Sequence, residues 1–134
     1  MASSSNEKLI LVVDDDNSIR QLIISVLTAE GYKVEGAGNG AEALALIRQN
    51  RSWRPGLILL DMQMPVMDGW KFLPVYHHEV KPEEKAPVVV MTAAMTAARY
   101  ASQINADGFL AKPFNLEELL NLVRQYLPIF KDPL

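Results

Sequence analysis

The chain has 134 residues, of which 49% are hydrophobic and 22% charged, a mixture typical of one globular domain with a substantial core. Its net charge of −3 and its scattered lysines and arginines form no basic stripe, so no nucleic-acid or membrane partner is expected. The absence of cysteine excludes disulfides and Cys-ligated zinc, and no apolar run approaches the ~18 residues of a membrane span, so we expect a cytoplasmic protein.

Predicted strands and helices alternate along the chain. Apolar runs bounded by turn residues indicate strands, and apolar residues spaced three and four apart indicate helices. The predicted strands cover 8–13, 32–37, 57–61, 87–92 and 108–111. The predicted helices begin near Asn17 and Asn39, after the turn at 64–69, at Met95 (to residue 104) and near Asn115, with Pro128 ending the last. Five such β-α repeats with right-handed crossovers predict a doubly wound α/β domain with a parallel sheet.

Two helices carry apolar stripes that should face the core. In the first helix the stripe consists of Ile19, Leu22, Ile23, Val26 and Leu27. In the last helix it consists of Leu116, Leu119, Leu120, Val123 and Leu127. Asn17 is predicted to cap the first helix and Gly31 to end it, and Pro74 should kink the third helix or delay its start.

Four strands end in residues whose chemistry suits metal or phosphate binding. The strands and the residues that follow are 9–13 before Asp14-Asp15-Asp16, 57–60 before Asp61, 88–91 before Thr92, and 109–111 before Lys112-Pro113. Ligands of open α/β sheets bind outside the carboxyl ends of the strands, so these side chains should converge at one edge. Carboxylates there can hold a divalent cation, while a hydroxyl and an ammonium group can hold a phosphoryl group.

The segment from Asp61 to Gly69, Asp-Met-Gln-Met-Pro-Val-Met-Asp-Gly, closely resembles the phosphorylation loop of response-regulator receiver domains. Asp14-Asp15 resembles the acidic pair of that family, and Met91-Thr92-Ala93 and Lys112-Pro113-Phe114 resemble its two remaining motifs. All four occur in the expected order. The resemblance implies a flavodoxin-like fold with five helices and strand order 2-1-3-4-5, and a domain at 8–128 between a disordered lead at 1–7 and a tail at 129–134.

The resemblance also implies a role for each site residue. Asp61 would be the phosphoacceptor, Asp15 and Asp61 would ligate Mg²⁺ directly, Asp14 would do so through water, and the backbone carbonyl of Gln63 would add a ligand. Lys112 would supply a positive charge through a cis Lys112-Pro113 peptide, and Thr92 a hydroxyl donor. Thr92 and Phe109 would form the switch, and Phe109, which has no hydroxyl, could act only by packing.

By the same resemblance, the phosphoryl donor would be the phosphohistidine of a sensor histidine kinase or of a histidine phosphotransfer protein. The domain would then signal to a downstream protein by changing conformation. It would catalyse its own phosphorylation and dephosphorylation without turning over an external substrate, so we do not expect an enzyme in the ordinary sense.

The sequence departs from the family pattern at several positions. Thr92 and Lys112 are only 20 residues apart (112 − 92), so the fourth helix or the loop before it should be short. Ala94 cannot orient an attacking water, and Gln63 is longer than the common asparagine; both neighbour the phosphoryl group in the family and tune its lifetime.

Two other functions fit parts of the sequence. Asp14-Asp15-Asp16-Asn17-Ser18 matches the Asp-x-Asp-x-Ser pattern of haloacid-dehalogenase-like phosphatases, with Asp14 as nucleophile and Asp16 as acid/base. That function leaves the Asp61 segment unexplained and lacks a late acidic cluster. Alternatively, the chain is a receiver-like docking module that is never phosphorylated.

Overall fold

A computed structural model describes residues 9–49 and 53–129. The strands are β1 (Leu9–Val13), β2 (Lys33–Ala37), β3 (Leu57–Asp61), β4 (Val88–Ala93) and β5 (Gly108–Lys112). The helices are α1 (Asn17–Ala29), α2 (Gly40–Gln49), α3 (Gly69–Glu79), α4 (Ala94–Tyr100) and α5 (Leu116–Tyr126), with one 3-10 turn at Pro82–Glu84. The proposed lead at 1–7 and all but the first residue of the proposed tail lie outside the described residues.

The five strands are parallel and lie in the order β2-β1-β3-β4-β5, which confirms the predicted sheet. Strands β1 and β3 are buried along their whole length, as expected for apolar runs in the centre of a parallel sheet. Strand β2 lies at an edge, and its Lys33 and Glu35 are exposed. The crossovers therefore bring the carboxyl ends of all five strands to one edge.

The sheet separates two hydrophobic clusters. One contains Leu11, Ile58 and Val90 from the sheet and packs against α2 and α3. The other contains Ile10, Leu59, Val89 and Met91 with side chains of α1 and α5. Successive side chains of a strand point to opposite faces, so each central strand contributes to both clusters.

Side-chain caps fix the starts of all the helices except α4, and the cap of α1 differs from the prediction by one residue. Asp16, not Asn17, caps α1: its carboxylate accepts a hydrogen bond from the Ile19 N–H at 3.1 Å, and its backbone is extended while Asn17 is already helical. Asn115 caps α5 within a reciprocal capping box. Its position agrees with the predicted start of the last helix near Asn115. Gly31 follows the end of α1 with a φ of +105°, as expected of a C′ glycine.

The predicted apolar stripes are each too wide. Ile23 and Leu27 of α1, and Leu119 and Val123 of α5, are buried, but Leu22 is 50% exposed and Leu116 is 44% exposed. Leu22 lies at the edge of its stripe, which turns its side chain away from the sheet. Leu116 is the first residue of α5 and lies at the end of the helix.

Helices α3 and α4 also differ from expectation. Pro74 lies inside α3, which begins at Gly69, so the proline does not delay its start. Helix α4 was predicted to reach residue 104 but ends at Tyr100, and a turn continues from Tyr100 to a buried Ile104. It starts directly after β4, so both the helix and the loop before it are short. None of the helices in the described ranges is long and apolar enough to cross a membrane.

Candidate functional site

The strand register brings the four predicted motifs together. Val13 pairs with Leu60, so Asp14 follows β1 beside the point where β3 ends in Asp61. Asp61 pairs with Met91 of β4, and Ala93 pairs with Lys112 of β5. An acidic pair, a strand-end aspartate, a threonine and a lysine thus meet at the carboxyl edge of the sheet, as the sequence predicts.

Three carboxylates form an acidic cluster at this edge. Asp14, Asp15 and Asp61 each place one carboxylate oxygen within 4.8 Å of the others. Asp14 is completely buried and Asp61 is 8% exposed, whereas Asp15 is open to solvent. Hard oxygen donors in this number suit Mg²⁺, which usually keeps several waters and needs only one or two carboxylates. The open side at Asp15 leaves room for those waters, so the residues present fit the ion.

Lys112 joins the acidic cluster from β5. Its Nζ lies 2.9 Å from Oδ2 of Asp14 and 3.5 Å from Oδ2 of Asp61. Burial lowers the pKa of Lys112, but the hydrogen bond to Asp14 and the charges of Asp14 and Asp61 outweigh that effect and hold the pKa above its ordinary value. The lysine is therefore a fixed positive charge. The Lys112-Pro113 peptide is cis, as the resemblance implied.

Asp61 has an unusually basic carboxylate. Burial is the largest influence and raises the pKa of Asp61 to about 6, and the charges of Asp14 and Asp15 act in the same direction. The N–H of Gln63, which donates to Oδ1 of Asp61 at 3.2 Å, and the charge of Lys112 oppose that rise. Near neutral pH the group is largely ionised, and ionisation is what a nucleophile requires.

The backbone around the acidic pair is held by two hydrogen bonds. Oδ1 of Asp14 accepts from the Asp16 N–H at 3.0 Å, so both oxygens of Asp14 have partners once Lys112 is counted. Nη1 of Arg20 donates to the carbonyl oxygen of Asp14 at 2.6 Å, and the same guanidinium contacts the side chain of Asn17. The contact of Arg20 was not predicted from the sequence, because a single arginine one turn into a helix carries no distinguishing signal.

The two predicted switch residues lie on the same face of the sheet. Thr92 is buried, and alternation along β4 places it on the side of Val90, which belongs to the cluster with α2 and α3. Phe109 pairs with Val90 in the register and packs against that same cluster, as does Tyr100 of α4. Asp61 and Lys112 alternate to the opposite face.

Helix α3 also carries Trp70, His77 and His78. His77 and His78 do not share a site: Nε2 of His77 lies 3.1 Å from the carbonyl oxygen of Asn105, and His78 is exposed. Trp70 is the second residue of α3 and packs edge-on against Tyr100 of α4 at 5.7 Å between ring centroids. These contacts hold α3 against α4 and the turn after it.

Comparison with known families matches residues 10–124 to the response regulator receiver domain. The chain belongs to this family. It is therefore a receiver domain of two-component signalling.

Individual relatives differ in how much of their length this chain spans. It is 38% identical over 127 residues to "Sporulation initiation phosphotransferase F" of Bacillus subtilis, covering 92% of this chain and 96% of that protein. It is 40% identical over 120 residues to "Response regulator MprA" of a Mycobacterium strain, but spans only 50% of that protein's length.

Solved structures show the same fold. The chemotaxis response regulator CheY4 of Vibrio cholerae superposes with a TM-score of 0.78 at 34% identity, over 89% of this chain and 98% of the other. The receiver domain of NtrX from Brucella abortus gives a TM-score of 0.72 at 31% identity, over 88% and 97%. The flavodoxin-like fold predicted from the sequence is confirmed.

Proposed function

We propose that Asp61 accepts a phosphoryl group from a phosphohistidine and that the resulting acyl phosphate is the signal of this domain. The observation that carries the proposal is the position of the Lys112 ammonium group, 2.9 Å from Asp14 and 3.5 Å from Asp61, inside a cluster of three carboxylates. A nucleophilic oxygen beside a fixed positive charge is what in-line phosphoryl transfer needs.

The transfer exchanges one bond for another. An oxygen of Asp61 attacks phosphorus, the P–O bond forms as the P–N bond to the donor histidine breaks, and the released imidazole nitrogen takes a proton from solvent. Lys112 stabilises the negative charge on the transferring group, and the hydroxyl of Thr92, at the end of the neighbouring strand, donates to a phosphoryl oxygen. The sheet edge supplies all three groups without a large rearrangement.

We propose Mg²⁺ as the cofactor. Asp15 and Asp61 would hold it directly, Asp14 through water, and the backbone carbonyl of Gln63 would add a ligand. When bound, the ion neutralises charge on the phosphoryl oxygens. Asp14 is buried and already bonded through both oxygens, which supports an outer rather than a direct role.

The same contacts argue against a phosphatase with Asp14 as nucleophile. Asp14 has no exposed surface, and its Oδ2 is paired with Lys112. The carboxylate of Asp16, which would be the acid/base, instead caps α1. Asp61 fits the nucleophile better because it lies at a strand end with part of its side chain exposed.

Receiver domains interact with histidine kinases and histidine phosphotransfer proteins, and we propose one of these as the donor here. A relative of similar length carries the name phosphotransferase, which supports a relay of the phosphoryl group as one output. Longer relatives such as MprA, of which this chain spans half, contain a further segment outside the matched region. We further propose a cytoplasmic domain that turns over no external substrate.

Mass analysis tests the phosphoacceptor. Incubation with acetyl phosphate and Mg²⁺ should add the mass of one phosphoryl group, and Asp61→Asn should abolish the adduct. Asp15→Asn should weaken Mg²⁺ binding and slow the reaction, because it removes a direct ligand, whereas the exposed Asp16→Asn should react like the parent.

Three results contradict parts of this proposal. An adduct that maps to Asp14 would support the phosphatase. Phosphorylation that persists in the presence of a metal chelator would show that the reaction does not need Mg²⁺. A parent protein that takes up no phosphoryl group from either acetyl phosphate or a phosphohistidine donor would be a docking module.

A further inference from the structure

The loop between β3 and α3, residues 62–68, is bent into an unusual turn at Val66. The φ of Val66 is +68°, in the left-handed region, and its side chain is 80% exposed. The N–H of Met67 donates to the carbonyl oxygen of Pro65 at 2.7 Å, which makes Val66 the centre of a three-residue turn. A β-branched residue holds such a conformation only where surrounding groups impose it.

The first residue of α2, Gly40, is one of the groups that hold this turn. The N–H of Gly40 donates to the carbonyl oxygen of Met67 at 2.8 Å. A Cβ on Gly40 would lie 2.8 Å from Cγ of Met67 and 3.0 Å from its carbonyl oxygen. The two backbones therefore approach this closely only because position 40 has no side chain.

The other end of the loop is closed in the same way at Gly69. Its N–H donates to the carbonyl oxygen of Met62 at 3.0 Å, and a Cβ there would lie 2.9 Å from Cα of Met62. Between these two anchors lies Gln63, whose N–H donates to Oδ1 of Asp61. The position of Gln63 relative to Asp61 thus depends on both anchors.

We propose that Gly40 is a positioning residue for phosphoryl transfer. By binding the carbonyl of Met67 it keeps the loop bent, and so keeps the backbone of Gln63 beside Asp61. The inference rests on the proposed function, in which the Gln63 carbonyl is a metal ligand. Gly40 lies on α2 and acts on the site only through the loop.

The test compares two nearby glycines. Gly40 is the first residue of α2, and Gly38 lies in the connection between β2 and α2. Gly40→Ala should raise the dissociation constant for Mg²⁺ about fivefold or more, equivalent to about 1 kcal/mol of lost binding. The matched control is Gly38→Ala, where a Cβ would meet only the flexible end of Glu42 at 3.3 Å, and it should stay within about twofold of the parent. Tryptophan fluorescence reports binding, since Trp70 lies two residues after the loop; Trp53→Phe in every protein compared removes the second tryptophan signal.

Kinetics separate positioning from a loss of folding. Acetyl-phosphate labelling of Gly40→Ala should be slow at limiting Mg²⁺ and recover towards the parental rate when Mg²⁺ is saturating. A protein that is merely less stable would instead show no deficit at either concentration once the unfolded fraction is subtracted. Gly40→Ala/Met67→Ala removes the contacts with Cγ and Sδ and should recover part of the Mg²⁺ affinity.

A measurement on the parent protein needs no variant. If the bent loop binds Mg²⁺ more tightly, Mg²⁺ must in turn stabilise the bent loop, because coupling between two equilibria is reciprocal. Hydrogen exchange at the Gly40 amide should therefore slow when Mg²⁺ is added, while the Gly38 amide, bonded to Glu42 at 2.7 Å, should change less.

The inference is overturned if folded Gly40→Ala binds Mg²⁺ as tightly as the parent does, or if Gly38→Ala weakens Mg²⁺ binding as much as Gly40→Ala. It is also overturned if Mg²⁺ does not slow hydrogen exchange at the Gly40 amide. The proposed function fails separately, and before any variant is compared, if the parent protein is not labelled on Asp61 at any Mg²⁺ concentration.

Discussion

At Asp61, burial and the charges of Asp14 and Asp15 raise the pKa of the carboxyl group, and the charge of Lys112 opposes them. The ordinary pKa of the group is 3.8, and in the folded protein it is raised to about 6. Ionisation of Asp61 therefore opposes folding. Below about pH 3 the group is protonated in both states and contributes nothing; between about 4 and 6 the folded state holds a proton that the unfolded state releases, so stability falls as pH rises.

We accordingly expect Asp61→Asn to stabilise the metal-free protein at pH 7 by about 1 to 3 kcal/mol. The gain should fall to about a third of this value by pH 4.5 and vanish only below about pH 3, where Asp61 is protonated in both the folded and the unfolded parent. Urea unfolding in chelator at both pH values measures the difference. Asp16→Asn is the matched control, because the residue is exposed and asparagine caps a helix as well as aspartate does.

Equal or lower stability of Asp61→Asn at pH 7 would contradict this account of the site. Saturating Mg²⁺ should reverse the order of stability, since the ion binds the folded parent and not the unfolded chain. The charge that disfavours folding at Asp61 is thus the same charge that the proposed cofactor and phosphoryl donor would need.

Between elements, strands β4 and β5 offer a direct path from Asp61 to α4. Thr92 and Phe109 lie on the face of the sheet that packs against α3, and Tyr100 of α4 joins the same cluster. A phosphoryl group on Asp61 should draw in the hydroxyl of Thr92, because a hydrogen bond to a charged acceptor is stronger than a neutral one. That movement leaves space beside β5 which Phe109 can fill.

Thr92→Ala should therefore leave Asp61 able to bind beryllofluoride but uncouple it from α4. Amide chemical shifts across residues 93–111, with and without beryllofluoride, should move less in this variant than in the parent. A two-state equilibrium of this kind needs a bias of only a few kcal/mol. Thr96→Ala, which makes the same change within α4, should respond as the parent does.

An alanine variant at Thr92 that shows the full set of parental shifts would mean that another residue couples the site to α4. The contact of Trp70 with Tyr100 and that of His77 with Asn105 are the alternative routes, because both join α3 to the α4 region.

For the molecule as a whole, one buried hydroxyl joins residues 95 positions apart. Tyr32, just before β2, donates from its hydroxyl to the carbonyl oxygen of Leu127 at 2.6 Å. Tyr32→Phe leaves that carbonyl without its partner and should lower the free energy of unfolding by about 1 kcal/mol or more. Tyr126→Phe, which loses a longer, exposed bond of 3.2 Å to Asp107, should cost less.

Urea unfolding at a single pH compares the two tyrosine variants. Labelling of Asp61 should be unchanged in Tyr32→Phe, because Tyr32 lies at the amino end of its strand and the site lies at the carboxyl edge. A loss of labelling with no loss of stability would show that this contact communicates with the site.

The sequence was sufficient for the sheet and for the residues at its edge. Buried parallel strands are continuous apolar runs, and Asp61, Thr92 and Lys112 stand at the ends of such runs, so their convergence follows from topology alone. The limits of the helices were less predictable. Asp16 and Asn17 are both good caps, and only the backbone conformation decides between them.

What the sequence could not predict depends on contacts between distant segments. Residues 101–104 after α4 have ordinary helix propensities, yet the helix stops at Tyr100, because tertiary structure overrides weak local preference. The approach of Gly40 to Met67 and the bond from Arg20 to Asp14 each require the folded chain. Neither Gly40 nor Arg20 differs in residue type from many other positions that have no such role.

The sheet that separates the two hydrophobic clusters also separates the side chains of the proposed site into two groups. Asp61 and Lys112 point to the side of α1 and α5, whereas Thr92 and Phe109 point to the side of α2 and α3. A macromolecule that covers one layer leaves the other uncovered. We therefore expect that a phosphoryl donor packed on the side of α1 and α5 and a target protein packed on the side of α2 and α3 could bind the domain at the same time.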